Sequence, residues 1–121
     1  KWMMLLSGNY RCVQADGMRS IKDAVHNDLA LSKSVYNWVG EVCRAIGASA
    51  EDQVPFEKYA NAANGLAKPS SAARALLAGV PNIERADCVV QTIAIQKGMQ
   101  NDTVDETVAA VDKWLAANRE K

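Results

Sequence analysis

Few polar residues in this chain combine useful chemistry with a placement that could bring it to bear on a ligand. Lys1 and Asn9 form one pair, an ammonium and a carboxamide eight residues apart on one expected helix. At about 100° per residue they project about 80° apart and two turns from each other, far enough to touch opposite ends of a small molecule. A lysine near a helix N-terminus meets an unfavourable dipole, and partial burial would add to it; both make the group a readier proton donor. Ser71 lies near an expected helix start, where its hydroxyl beside free backbone N–H groups could hold a carboxylate, and Glu84 lies near the next. Each residue also has a plainer reading: Lys1 as a terminal lysine, Asn9 as a turn or C-cap, Ser71 as an N-cap and Glu84 as a first-turn acid.

Other chemistries are poorly provided for. His26 is the only histidine, which excludes a multi-histidine metal site, and no Ser or Cys pairs with it as nucleophile and base. Cys12, Cys43 and Cys88 are widely separated and read as reduced core thiols, so that a cytoplasmic location is expected. None of the seven glycines forms a G-x-G pair, so the turn that cradles a dinucleotide phosphate is missing. Lys plus Arg and Asp plus Glu balance at 14 each, which leaves no electrostatic basis for binding nucleic acid. Charges interrupt every apolar run before it approaches membrane-spanning length.

The elements that must position these residues read as helices throughout, because apolar residues recur at three and four and no segment alternates like a strand. A first helix is expected from Trp2 to Gln14, broken at Gly17, and a short one over Ser20 to Val25. A long helix over Leu29 to Ile46 would bury Leu31, Val35, Trp38, Val39, Val42 and Ile46, with Gly47 as its left-handed cap. Another start falls at Ser49 to Asp52, with Phe56, Tyr59, Ala60, Ala63 and Leu66 on one face. Pro69-Ser70-Ser71 opens a helix ending at Gly79, and Val80-Pro81-Asn82 opens one reaching Lys97. The apolar run Val89 to Ile95 makes this last helix the expected centre of the core. Thr103 and Glu106 form a capping box ahead of Val104, Val108, Val111 and Leu115. Trp38 and Trp114 fall on apolar stripes and read as packing residues. A length of 121 residues fits one domain.

Two stretches carry a family resemblance. Lys1-Trp-Met-Met-Leu-Leu-Ser-Gly-Asn9 resembles the start of the C-terminal domain of ketopantoate reductases (2-dehydropantoate 2-reductases), where a Lys is followed by Asn four and eight positions later; Leu5 replaces the first Asn. Lys68-Pro69-Ser70-Ser71, then Ile83-Glu84-Arg85-Ala86-Asp87, then Lys97-Gly98-Met99, resembles the family's later Ser-Ser segment, Glu-bearing helix start and Gly-Ile pair. Counting back from Gly98 puts Asn82, rather than Glu84, at the family's Glu position, so both stay open. The resemblance implies an all-α bundle like the C-terminal domain of 6-phosphogluconate dehydrogenase, with an upstream Rossmann domain, absent from residues 1–121, that holds NADPH. A chain beginning at Lys1 is then expected to be the substrate-binding half of a pantothenate-biosynthesis reductase acting on a 2-oxoacid, inactive alone. It also implies that Lys1 is the general acid and that Asn9, Ser71 and Glu84 bind substrate, with no metal and no membrane or nucleic-acid partner. A non-catalytic helical interaction or dimerisation domain is the alternative, and self-pairing as a homodimer is open to either.

Overall fold

Side-chain hydrogen bonds shape the first helical run of the chain, which a computed structural model describes over residues 1–121. Helix α1 (Trp2–Met4) widens into a π-turn over Leu5–Asn9 and then tightens into a 3-10 turn over Tyr10–Cys12. Carbonyls along it accept side-chain donors: Ser7 Oγ bonds Met3 O at 2.7 Å, Tyr59 Oη bonds Met4 O at 3.2 Å, and Arg11 Nη1 bonds Ser7 O at 3.2 Å. Donors inserted into a helical ladder are a common cause of such distortion, and π-turns often accompany functional sites. Gly8 lets Tyr59 come this close, since a Cβ there would overlap the Tyr59 hydroxyl.

The run ends at Cys12, short of the expected Gln14. Val13–Gln14 (β1) pairs antiparallel with Gly17–Met18 (β2), Val13 opposite Met18 and Gln14 opposite Gly17. This hairpin is the one departure from the expected helices. β-branched Val13 suits a strand, the turn falls at Ala15-Asp16, and Trp114 Nε1 fastens the hairpin by donating to Gln14 O at 2.7 Å.

Helix α2 (Ile21–His26) is capped by Ser20, and α3 (Leu29–Ala45) by Asp28, whose carboxylate accepts from Leu31 N at 3.0 Å. The left-handed cap at Gly47 is present, with φ 105°. The buried face of α3 is not the expected stripe: Ser32, Val35, Tyr36, Val39, Gly40 and Val42 point inward, Leu31 and Trp38 are half-buried, and Ile46 is exposed. Small Ser32 and Gly40 admit the first helical run, and Ser32 serves buried Arg11, whose Nη1 donates to its Oγ at 2.9 Å. The Ser49 start is only a 3-10 turn, and α4 (Phe56–Ala63) begins after Pro55 and leaves Leu66 outside.

Helix α5 (Ser71–Leu77) is capped by Ser70, α6 spans Ala86–Gln96, and α7 spans Asp102–Arg119. The α7 cap is Asn101 rather than Thr103: Asn101 Oδ1 accepts from Val104 N at 3.1 Å. Val104, Val108, Val111 and Leu115 are buried as their spacing predicts. Helix α6 starts later than expected and is not buried all round, since Val89 and Ile95 are exposed and its buried face is Ala86, Asp87, Val90 and Ala94. The first helical run takes the central place instead, packed against α2, α3, α5 and α6. Seven α-helices and one small hairpin therefore make a mostly helical domain.

Candidate active-site cleft

A cleft of about 430 Å³ opens where the first helical run, the start of α5 and the segment before α6 meet. Its walls include Lys1, Leu5 and Asn9 from the first element, Ser71 from the second and Glu84 from the third. All four predicted site residues thus face one space of the size that small-molecule sites occupy. The π-turn brings Lys1, Leu5 and Asn9 together there. On a regular helix each four-residue step drifts by about 40°, and a wider turn winds less per residue and takes back part of that drift.

The four residues differ in how firmly they are held. Lys1 is exposed, without the partial burial expected of it, and its carbonyl accepts the first helical bond from Leu5 N at 3.1 Å. Asn9 is half-buried, and its own carbonyl accepts from Ser70 Oγ at 2.7 Å. Ser71 is exposed at the first position of α5, with Arg74 Nη2 at 3.4 Å from its Oγ. The N-cap is its neighbour Ser70, which accepts from Ala73 N at 3.2 Å and leaves Ser71 free to face the cleft. Glu84 is exposed in a non-helical segment, so it is not a first-turn acid. Asn82 turns away, its Oδ1 accepting from Arg119 Nη2 at 3.2 Å, and does not line the cleft. The chain's three ion pairs, Lys33 with Glu57 and Arg85 with Asp87 and Asp112, leave Lys1 and Glu84 uncommitted.

Residues read only as packing groups do much of the positioning. Tyr10, expected as part of an apolar face, donates from Oη to Glu84 O at 2.6 Å and accepts from Ala86 N at 3.0 Å. Its hydroxyl pins the Glu84 segment beside Asn9, and burial raises its pKa. Behind this segment Arg85 grips fully buried Asp87 through two bonds of 2.9 and 3.0 Å. Burial works against the Arg85 charge, but the hydrogen bonds to Asp87 and Asp112 outweigh it and hold the pKa above its usual value. Ser70, almost fully buried, ties α5 to Asn9. The one signal in the sequence for these roles was the adjacent serine pair, and spacing could not say which hydroxyl faced inward.

A second cleft of about 390 Å³ adjoins the first, sharing Asn9 and Ser71 and adding the cations Lys68 and Arg74. Neither cleft contains a phosphate-binding turn: the glycines with left-handed backbone, Gly47, Gly79 and Gly98, follow α3, α5 and α6 and close them. No cluster of three or more His, Cys, Asp or Glu could hold a metal, and His26 Nε2 lies 2.7 Å from Ala60 O. No helix is long and apolar enough to cross a membrane. No protein-family model, curated protein or solved structure matches the chain.

Proposed function

We propose that this chain is the substrate-binding half of an NADPH-dependent 2-oxoacid reductase of the ketopantoate reductase kind, with a fold like the C-terminal domain of 6-phosphogluconate dehydrogenase. The reading is supported by one observation above the rest: Lys1, Asn9, Ser71 and Glu84, from three separate stretches of chain, line one cleft. In this reading NADPH, held by an upstream Rossmann domain, supplies the hydride. The residues of this chain bind the acid and manage its proton. The Lys1 ammonium donates a proton to the oxygen of the 2-oxo group, Asn9 and Ser71 offer hydrogen bonds to the substrate's oxygens, and the Glu84 carboxylate lines the same cleft.

The test uses the full natural protein and follows NADPH oxidation driven by 2-oxoacids. Lys1→Ala is expected to lower kcat by about 10²- to 10⁴-fold, the usual contribution of a positioned general acid. An unchanged rate in that variant would remove Lys1 from the mechanism. The alternative, a helical interaction module, draws on the exposed apolar side chains of Leu77, Val89 and Ile95. It predicts a stable self-associated form by light scattering and no oxidation of NADPH with any 2-oxoacid.

A further inference from the structure

The lining of the cleft is divided in a way that bears on its ligand. Lys1, Ser71 and Glu84 are polar and exposed, Asn9 is polar and half-buried, and Leu5, Ala72, Ala75 and Ile83 line the remainder with apolar surface beside the Tyr10 ring. Leu5 is the decisive member. It sits between Lys1 and Asn9 in the π-turn, half-buried, and faces the same space as both. A ligand hydroxyl laid against this surface would give up its water without gaining a partner, while a methyl group would lose nothing.

Charge gives the ligand a direction. Arg74 lies one helical turn beyond Ser71, with Nη2 at 3.4 Å from the Ser71 hydroxyl, and takes part in none of the three ion pairs. The adjoining cleft that it lines with Lys68 contains no Asp or Glu and meets the first cleft at Asn9 and Ser71. Glu84 lines only the first cleft. The first cleft sets the Glu84 carboxylate beside the Lys1 ammonium, whereas the adjoining one offers Lys68 and Arg74 with no carboxylate, so an anion turns toward the guanidinium.

Building on the reductase reading, we propose that the substrate is a 2-oxo acid with a wholly aliphatic side chain, which packs against Leu5 while its carboxylate is held by Ser71 and Arg74. Arg74 is then a substrate-binding residue beside Asn9 and Ser71.

Two acids that differ by one oxygen atom test the proposal in the full natural protein with NADPH: 2-dehydropantoate, and 3,3-dimethyl-2-oxobutanoate, which lacks its hydroxyl. The aliphatic acid is expected to have the higher kcat/KM, by about 10- to 100-fold, the range over which an apolar pocket discriminates against an added hydroxyl. Leu5→Asn should shift the ratio toward the hydroxyl-bearing acid, and Leu5→Met should leave it in place. Arg74→Gln should raise KM for both acids by about tenfold with the ratio unchanged, and Arg74→Lys should recover part of the loss. Thermal unfolding of each variant separates these effects from loss of fold. A native preference for 2-dehydropantoate, a ratio unmoved by Leu5→Asn, or a KM unmoved by Arg74→Gln would overturn the proposal while leaving the reductase reading in place. Failure of the native protein to reduce either acid would overturn both.

Discussion

At the scale of single residues, the site depends on close approaches that hydrophobic patterning does not reveal. Gly8 and Tyr59 share one volume, and the Tyr59 ring is fixed by stacking on Tyr36, with centroids 5.7 Å apart. Gly8→Ala should therefore destabilise the fold by about 1–3 kcal/mol, the usual cost of overpacking. In a double-mutant cycle followed by chemical denaturation, adding Tyr59→Phe should return part of that loss; strict additivity would contradict the shared volume. Tyr10 is a second case. Tyr10→Phe strips the bonds to Glu84 O and Ala86 N and should cost about 1–3 kcal/mol. The sequence pattern placed Lys1, Asn9, Ser71 and Glu84 as candidates because their types and order were visible. It missed Tyr10, Ser70 and Arg74 because a side chain's hydrogen-bond partner many residues away leaves no mark on local spacing.

Among the elements, helices with a polar cap and a regular apolar stripe were legible, and those set by tertiary contacts were not. Helix α7 shows both: its inward face follows the spacing of Val104, Val108, Val111 and Leu115, yet its cap lies two residues before the expected one. Asn101 has extended backbone and accepts from Val104 N, whereas Thr103 already lies within the helix, so substituting the two should have unequal effects. Asn101→Ala should lower stability by about 1 kcal/mol and Thr103→Ala by clearly less, as read from urea midpoints; the reverse order would restore the capping box. Helix α6 failed as a sequence prediction for a different reason. Its apolar run suggested a helix buried all round, but the core takes only the face of Ala86, Val90 and Ala94 and leaves Val89 and Ile95 at the surface. The hairpin escaped notice because two residues per strand are too few to display alternation.

For the molecule as a whole, the mostly helical class could be read from periodicity alone, while the central place of the first helical run required the fold itself. One collective property follows from what is buried. Burial raises the pKa of the Tyr10, Tyr36 and Tyr59 hydroxyls and of the Cys12, Cys43 and Cys88 thiols. The folded chain keeps these protons at a pH where the unfolded chain has begun to lose them, so stability falls as pH rises. The stabilisation is complete below the unfolded thiol and phenol values, about 8.5 and 10, and is lost as pH climbs through the higher folded ones. Thermal midpoints should hold steady to about pH 8 and decline steadily beyond about pH 9; a midpoint constant through strongly alkaline pH would contradict this. The last helix carries a consequence of another kind. Trp114 fastens the hairpin at Gln14, Asn118 Nδ2 holds Leu76 O and Val80 O at 2.9 and 3.0 Å, and Arg119 Nε bonds Pro81 O at 2.9 Å. During synthesis, the strand after the first helical run and the segment leading to Glu84 emerge well before the residues that lock them in place. The ribosome thus delivers the walls of the cleft early and their fastenings last, and the cleft takes its final shape only once the closing helix is free to dock.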